Sequence, residues 1–385
     1  MMEKIDLVKD TIDSKDIESL ISWLRTNPRL TKGSLNVEFE KKWSEWLGVK
    51  YSVFVNSGSS ANLAAVYSLL LSGKLKNNKI VVPAVSWVTT VTPAIQLGME
   101  PIMCECDEDN LGLNIDYLKK LIKEENPSAI ILVHVLGFPN HMNEIMDICK
   151  EHDILLIEDT CESTGSMYDG KKLGTFGDLS TFSFYFGHHM STIEGGMIST
   201  NSEELYHILL SIRSHGWDRD LPLEKQKQLR EKYNIGDFRA LYTFYYPGFN
   251  LRATDLQAFI GLKQLEKLDE IVMNRNLNYL KYHKEIKTDG WKVKPQTHSY
   301  ISNFSYPIIT ENIKELSQKL MENNIECRPL ICGSINEHPF WYERFEKVEL
   351  PIAKRIHEYG MYIPNNHLMT QEELNRVIEI VNKYI

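Results

Sequence analysis

The 385-residue sequence predicts an α/β fold, with a mainly parallel sheet in a large domain and a smaller C-terminal α+β domain. From about residue 51, short apolar and β-branched runs alternate with helical stretches, which is typical of a parallel sheet covered by helices. Hydrophobic residues make up 43% of the chain and charged residues 25%, as in an ordinary globular protein. Beyond residue 250 the alternation gives way to a long helical stretch and mixed elements. We therefore expect domains at 1–250 and 251–385.

Each apolar run is a candidate strand. The strand candidates are Tyr51–Asn56, Lys79–Pro83, Glu100–Glu105, Ala129–Val135, Ile154–Glu158, Leu179–Phe184 and Gly196–Ser199. Helices are expected between them, for example at Ser60–Leu71, Val88–Gln96, Asn143–Glu151 and Ser202–Arg213. A long segment rich in charged and aromatic residues, Gly216–Gly248, contains one predicted short helix at Glu224–Tyr233. Loops of this length inside a compact domain are usually functional or interfacial.

Charge and composition exclude several classes of protein. With 43 basic and 52 acidic residues the formal charge is -9, so no global positive field is available to hold nucleic acid. No apolar stretch approaches the ~20 residues that span a bilayer, so we expect a cytoplasmic chain without a membrane partner. The 6 cysteines are too scattered for a disulfide framework, and neither close pair has zinc-site spacing, so no metal is expected.

A candidate phosphate site lies where the first strand leads into an apolar helix. The residues at this junction are Ser57, Gly58, Ser59 and Ser60. Glycine permits close backbone approach, and the helix N-terminus presents free amides with partial positive charge, which together suit a phosphate. Serine and glycine also make ordinary N-caps, so this motif alone leaves both interpretations open.

Two further candidates follow strand ends. Asp159 comes directly after the run Ile154–Glu158, at the edge where open α/β sheets bind ligands. A carboxylate there would keep a pyridine-ring nitrogen protonated, although an aspartate also suits a helix N-cap. Trp87 follows the strand Lys79–Pro83, where its ring would stack on a cofactor, although tryptophan is equally common in a core.

The segment from Ser183 to Gly196 carries a specific resemblance to a known protein family. Its order and spacing resemble the DegT and StrS family of sugar aminotransferases, which are fold-type I enzymes that use pyridoxal 5'-phosphate (PLP). In that family a strand ends in Ser-Phe, a lysine follows, and Glu-Gly-Gly lies six residues beyond the lysine. The likeness extends over nearly the whole chain. It implies a PLP-dependent transferase fold of type I.

One departure from the family pattern decides the expected chemistry. The position six residues before Glu194 holds His188 instead of lysine. Imidazole cannot form the Schiff base that tethers PLP, so the cofactor, as PLP or as its pyridoxamine form (PMP), is expected to bind noncovalently. An imidazole with an unperturbed pKa of about 6.5 suits proton transfer near neutral pH, so His188 is the predicted catalytic base or acid.

A histidine at this place resembles the 3-dehydratases of deoxysugar biosynthesis within the family. One group of them needs an iron-sulfur cluster held by cysteines downstream of the histidine. Between Cys161 and Cys327 this sequence has no cysteine, so no cluster is expected. The resemblance is to the cluster-free group of colitose and O-antigen (lipopolysaccharide) biosynthesis, and it implies GDP-4-keto-6-deoxy-D-mannose as substrate, L-glutamate as amino donor and release of ammonia.

The same resemblance assigns supporting roles. Ser59, Ser60 and Ser183 would bind the cofactor phosphate, and Glu162 would lie near the ring hydroxyl. Asn250 would reach the phosphate in the neighbouring subunit's site, which implies a homodimer with shared active sites. The substrate-binding candidates are His215, Arg219 and Arg328. Guanidinium recognises phosphate bidentately, although Arg219 also suits a surface salt bridge.

Two other functions stay open at the level of sequence. A nucleotide-sugar aminotransferase with a surrogate base would share the fold and the cofactor contacts, but it would leave an amino sugar instead of free ammonia. A catalytically inactive homologue acting as a sensor or assembly subunit would also lack the lysine. The intact Ser183, Asp159, Trp87 and Asn250 argue against a decayed site.

Overall fold

The computed structural model describes residues 3–288 and 291–385. The strands are β1 Tyr51–Val55, β2 Lys79–Pro83, β3 Glu100–Cys104, β4 Ala129–Val133, β5 Leu155–Asp159, β6 Met167–Tyr168, β7 Lys171–Lys172, β8 Leu179–Ser183, β9 Gly196–Thr200, β10 Ser299–Tyr300, β11 Tyr306–Ile309, β12 Arg328–Pro329 and β13 Gly360–Ile363. The helices are α1 Ser14–Leu24, α2 Ser34–Leu47, α3 Gly58–Ser72, α4 Val88–Gln96, α5 Ile115–Glu125, α6 Met142–His152, α7 Glu203–Arg213, α8 Leu223–Lys232, α9 Asp237–Ala240, α10 Asp255–Leu265, α11 Leu268–Glu285, α12 Ile313–Glu322, α13 Pro339–Tyr342, α14 Pro351–Tyr359 and α15 Gln371–Tyr384.

The central sheet has the strand order β1-β9-β8-β5-β4-β2-β3. Strands β3, β2, β4, β5 and β8 run parallel, whereas β9 is antiparallel to both of its neighbours, β1 and β8. Because β9 lies antiparallel between them, β1 and β8 point the same way, and their carboxyl ends meet that of β5 at one edge of the sheet. The predicted α/β fold with a mainly parallel sheet is confirmed, and the antiparallel β9 is an addition to it.

Burial explains why the apolar runs form this sheet. All five residues of β4 are buried, as expected for a strand covered by helices on both faces. The predicted strand boundaries hold to within one or two residues. The boundary that matters most is the end of β5, because Asp159 is the last residue of this strand. Helices α1, α2 and α5 were not among the expected helices.

The C-terminal part is built on a small antiparallel sheet with the order β11-β13-β12, with helices α12 and α15 in contact with each other. The chain start lies against it, since Ile5 pairs with Ile325 and its amide donates to the Asn324 carbonyl at 2.9 Å. The division into domains near residue 250 stays a prediction. Within the described ranges, no helix combines the length and apolarity that crossing a membrane requires.

Candidate active site

Helix α3 begins at the sheet edge with its first turn facing outward. Ser57 is the N-cap, and its side chain accepts a hydrogen bond from the Ser60 amide at 3.1 Å. Ser183 at the end of β8 aligns with Val55 of β1 through their shared partner on β9. A Cβ atom built on Gly58 would lie 2.6 Å from the Ser183 Cβ, so glycine is required there. The structure therefore brings the predicted phosphate-binding residues of both strands together.

The Asp159 carboxylate is buried, with 3% of the residue exposed, and it is held by three donors. Its Oδ2 accepts hydrogen bonds from Asn62 Nδ2 at 2.8 Å and from Thr90 Oγ1 at 2.7 Å. Its Oδ1 accepts from the Cys161 amide at 3.1 Å. The donors come from α3, from α4 and from the turn after β5, so the carboxylate has a fixed position. Asn62 and Thr90 were not assigned any role from the sequence.

Trp87 is the N-cap residue of α4, and 54% of it is exposed. This exposure excludes the core alternative for Trp87. The turn that carries it is fixed beside the Asp159 carboxylate, because Thr90 in the same turn donates to Asp159 and its own amide donates to the Trp87 carbonyl at 3.1 Å. A flat aromatic surface is thus exposed next to the carboxylate, as a stacking role requires.

Glu162 is buried three residues beyond Asp159, and its carboxylate accepts a hydrogen bond from the Leu136 amide at 2.9 Å. Burial raises the pKa of Glu162 to about 8; the Leu136 amide opposes this rise and the charge of Asp159 adds to it. Glu162 is therefore mostly protonated at neutral pH, and its carboxyl group can act as a hydrogen-bond donor.

His188 lies in the loop that follows β8, and it is partly buried. Its ring packs against the Phe304 ring, with 5.2 Å between the centroids. Its Nδ1 is shielded from solvent and has no hydrogen-bond partner in the part of the chain that the structure describes. Burial, and then the charge of Arg275, lower the pKa of His188 to about 4. The imidazole is therefore neutral at pH 7 and able to accept a proton.

The adjacent His189 has a different environment. It is fully buried, and its Nε2 lies 3.0 Å from the Ser302 carbonyl oxygen. Burial lowers its pKa well below the usual range. Its burial and its contact with the Ser302 carbonyl are those of a structural residue.

Arg328 reaches the same region through the small sheet. Its cross-strand partner in β13 is Tyr362, and the Tyr362 ring lies 6.4 Å from that of Phe304, which packs on His188. Burial raises the pKa of Tyr362 to about 12; Glu162 adds to this rise and Arg328 opposes it. The groups around His188 therefore include residues from both parts of the chain, and sequence reasoning missed Phe304 and Tyr362 because no motif marks them.

The remaining candidates lie along the segment that follows α7. The Arg219 guanidinium is 3.9 Å from the Trp217 ring centroid and 5.4 Å from that of Tyr242, and it also donates to the Leu241 carbonyl. Across the described part of the chain Arg219 forms no ion pair, so nothing supports the salt-bridge alternative. The predicted role of Arg219 in substrate binding stays a prediction.

His215 and Asn250 lie close to each other on neighbouring segments. Asn250 pairs with Ser214, the Asn250 Oδ1 accepts a hydrogen bond from Arg252 Nε at 3.0 Å, and His215 Nε2 lies 3.5 Å from Arg252 Nη2. The adjoining Asn56 amide donates to the Leu251 carbonyl at 2.9 Å, which places this pair beside the carboxyl end of β1. Their predicted roles stay predictions.

All 6 cysteines are free thiols. In residues 3–288 and 291–385, no three histidine, cysteine or carboxylate side chains are grouped so as to hold a metal ion.

The comparisons with known proteins identify the class. The sequence model of the DegT/DnrJ/EryC1/StrS aminotransferase family matches residues 10–382, and the chain belongs to this family. Among individual relatives, GDP-4-keto-6-deoxy-D-mannose 3-dehydratase of Yersinia pseudotuberculosis is 34% identical over 394 residues, which cover 100% of this chain and 99% of that protein. The resemblance stated from the sequence is confirmed.

Two solved structures are similar over nearly their full length. GDP-4-keto-6-deoxymannose-3-dehydratase with a trapped PLP-glutamate geminal diamine has a TM-score of 0.89 and 32% identity, covering 98% of this chain and 99% of that one. A histidine-to-asparagine variant of the same enzyme with bound GDP-perosamine has a TM-score of 0.87 and 31% identity, covering 97% and 99%. The expected PLP-dependent transferase fold is confirmed.

Proposed function

We propose that this chain is a PLP-dependent sugar 3-dehydratase. It removes the C3 hydroxyl of a nucleotide-linked 4-keto-6-deoxyhexose, GDP-4-keto-6-deoxy-D-mannose in the first place, with L-glutamate as amino donor and release of ammonia. The observation that carries the proposal is a neutral imidazole, His188, in the position where the family pattern has its cofactor-binding lysine. The full-length likeness to a dehydratase of that specificity supports the choice of substrate.

The residues present fit a phosphorylated pyridine cofactor. Ser57, Ser59 and Ser60 with the first-turn amides of α3, and Ser183 opposite them, would bind the phosphate in the space that Gly58 leaves open. None of these contacts is covalent. The cofactor, as PLP or PMP, would therefore be held by its phosphate, its ring and its ring nitrogen.

The ring contacts follow from protonation states. Asp159, an acceptor already fixed by Asn62 and Thr90, would pair with the protonated ring nitrogen. Glu162, mostly protonated at neutral pH, would donate to the oxygen of the ring hydroxyl. Trp87 offers its exposed ring for stacking. When bound, the cofactor carries the amino group taken from glutamate and accepts the charge left by a broken carbon–hydrogen bond.

His188 performs the proton transfers. Its neutral imidazole takes the proton from the breaking carbon–hydrogen bond, and the resulting imidazolium gives a proton to the departing C3 hydroxyl, which leaves as water. Glutamate is oxidised to its keto acid, which supplies the two electrons for the net replacement of hydroxyl by hydrogen, and its nitrogen leaves as ammonia. No iron-sulfur cluster is needed to balance the electrons.

The substrate and subunit assignments are part of the same proposal. Arg328, next to Tyr362 near His188, and His215 and Arg219 on the segment after α7 would bind the nucleotide sugar. Asn250 would contribute to the site of the second subunit, so that a homodimer shares its two active sites. The product would enter colitose and O-antigen (lipopolysaccharide) biosynthesis.

Incubation of the purified chain with PLP, L-glutamate and GDP-4-keto-6-deoxy-D-mannose tests this function. We expect ammonia release and a sugar nucleotide lighter by one oxygen atom. An amino sugar without free ammonia would indicate an aminotransferase instead. Unchanged sugar nucleotide, with no ammonia, would refute the proposed substrate, and repetition with CDP-, dTDP- and UDP-linked 4-keto sugars would separate another specificity from an inactive homologue.

A further inference from the structure

Arg275 of α11 is a buried cation that has no carboxylate partner among residues 3–288 and 291–385. Only 1% of the residue is exposed, and in the ranges that the structure describes burial is the one influence that shifts its pKa, which falls to about 10. The guanidinium therefore stays charged at neutral pH. Buried charges are normally paired, because desolvation costs several kcal/mol. A charge kept in this form suggests a role other than stability.

Backbone carbonyl groups compensate the guanidinium. Arg275 Nη1 donates to the Phe304 and Asn365 carbonyl oxygens, each at 2.7 Å, and lies 3.5 Å from that of Asn303. The Asn365 side chain also joins these segments, because its Nδ2 donates to the Arg275 carbonyl at 3.1 Å and to the Asn303 carbonyl at 2.9 Å. Arg275 thus fixes residues 303 and 304 in place.

The segment 302–304 is in contact with the site. The Phe304 ring packs on the His188 ring at 5.2 Å, and Arg275 Cζ lies 6.0 Å from the Phe304 ring centroid. Asn303 Nδ2 donates to the Leu136 carbonyl at 2.7 Å, and the Leu136 amide donates to Glu162 at 2.9 Å. Arg275 therefore positions the Phe304 ring that packs on His188. Through Asn303 and Leu136 it also positions the amide that donates to Glu162.

We propose that Arg275 is a positioning residue for His188: it fixes segment 302–304 against the imidazole and holds a positive charge behind it. The charge disfavours the imidazolium form and keeps the base unprotonated when it is needed. The lowered pKa of His188, for which Arg275 is the second cause after burial, agrees with this geometry. The proton-transfer part of the inference rests on the proposed function, but the effect on the imidazole does not.

Other titratable groups surround His188 and Arg275. On the loop of His188 itself they are Tyr185, whose ring centroid is 6.4 Å away, and His189. Burial lowers the pKa of His367, and the charges of Arg275 and then of Lys267 lower it further. Because both His189 and His367 have lowered pKa values, neither is a competing cation near pH 7.

Histidine-selective NMR on the full chain without added cofactor tests the inference. The wild type, Arg275→Gln, Arg275→Met and Arg275→Lys are titrated, with the His188 signal assigned from the His188→Gln spectrum. We expect the His188 pKa to rise by about one unit in the Gln and Met variants and to stay low in the Lys variant, which keeps the charge. Arg344→Gln, an exposed arginine exchanged in the same way, is the matched control and should change nothing.

The PLP-loaded enzyme gives a second measurement. In the Gln and Met variants, the acid limb of the profile of kcat against pH should move to higher pH. Arg275→Lys should lower kcat more than it changes KM, because a lysine cannot reach both the Phe304 and the Asn365 carbonyl groups. An unchanged His188 pKa in a neutral variant overturns the proposal. If neither neutral variant folds, a His188 pKa that rises in Arg275→Lys overturns it equally. If the wild type and all variants lack dehydratase activity while the NMR shifts are as expected, the proposed function is rejected and the inference about Arg275 stands.

Discussion

The side-chain amide of Asn62 joins the Asp159 carboxylate to the helix that would bind phosphate. Its Nδ2 donates to Asp159 Oδ2 at 2.8 Å, and its Oδ1 accepts a hydrogen bond from Thr181 Oγ1 at 2.6 Å. Asn62 belongs to α3, Asp159 to β5 and Thr181 to β8. One residue therefore connects the Asp159 and Thr181 strands to the start of α3, between the two ends of the proposed cofactor site.

Asn62→Leu removes these two hydrogen bonds, and a third from Asn62 Nδ2 to the Thr89 carbonyl at 3.1 Å, at nearly constant volume. We expect the free energy of unfolding to fall by about 2–3 kcal/mol, since a hydrogen bond to a charged group is lost in a buried site. PLP should bind at least about tenfold more weakly, which corresponds to 1.4 kcal/mol. Urea unfolding and a fluorescence titration measure the two effects. Asn143→Leu at an exposed position of α6 is the control, and equal losses in both variants would contradict the argument.

His188→Lys tests the base directly. A lysine at this position should attach the cofactor covalently, so that borohydride reduction leaves a permanent mass increase in the variant and none in the wild type. Dehydration should fall at least about a hundredfold, because the imidazole proton transfers are lost. Mass spectrometry and the ammonia assay give both results, with the exposed His152→Lys as control. Full turnover in His188→Lys, or a reduced adduct in the wild type, would show that the role assigned to His188 is wrong.

Local patterns were sufficient to predict the strands and the groups at their ends. The run at 129–133 is apolar throughout and forms a fully buried strand, and the Ser-Gly motif before α3 forms the expected N-cap. Ser183 and Asp159 meet the start of α3 because parallel strands end at one edge. These residues were predictable because their placement follows from the strand order of an α/β sheet.

Contacts between distant segments could not be predicted in this way. Phe304 packs on a histidine more than a hundred residues earlier, and Arg275 approaches from a helix that carries no recognisable motif. Asn62 lies two residues beyond the predicted phosphate motif, yet nothing in its neighbours indicates that its side chain turns inward to Asp159. Such partners are set by tertiary packing, which a single sequence does not encode in any local period.

Gly58→Ala tests the space reserved for the phosphate. The new methyl group would lie 2.6 Å from the Ser183 Cβ and 3.2 Å from its Cα, so the two elements would have to separate. We expect a loss of about 1–3 kcal/mol in the free energy of unfolding and at least about tenfold weaker PLP binding. Gly236→Ala, where nothing lies within 4 Å, should be close to wild type in both measurements. Unchanged PLP affinity in Gly58→Ala would place the phosphate elsewhere.

Glu40 supports the loop segment that carries His215. Its carboxylate accepts from the Phe54 amide at 2.8 Å and pairs with the buried guanidinium of Arg213, two residues before His215. Glu40→Leu leaves that guanidinium with the Asp220 carboxylate and the Phe54 carbonyl, so we expect a loss of about 3–5 kcal/mol in urea unfolding. Glu45→Leu on the same helix, whose carboxylate is exposed, should cost less than about 0.5 kcal/mol. Similar costs for the two variants would refute the importance of the buried pair.

Glu162 should make the stability of the cofactor-free protein depend on pH. Burial raises its pKa from 4.5 to about 8, so the folded state binds a proton that the unfolded state has already released in this range. The contribution of Glu162 to the free energy of unfolding therefore has its full value below pH 4.5 and falls as the pH rises towards 8. Above pH 8 it no longer changes with pH. The slope is at most about 1.4 kcal/mol per pH unit for one group.

Glu162→Gln removes this titration while keeping the shape and the acceptor for the Leu136 amide. The variant should therefore gain stability relative to the wild type as the pH rises from near 5 to near 8, because only the wild type must keep in its folded state a proton that its unfolded state releases. Urea unfolding at several pH values measures the difference, with the exposed Glu346→Gln as matched control. If the difference between Glu162→Gln and the wild type were independent of pH, the Glu162 carboxyl would have to be ionised across this range, and it could not donate a hydrogen bond to the ring oxygen as the proposed mechanism requires.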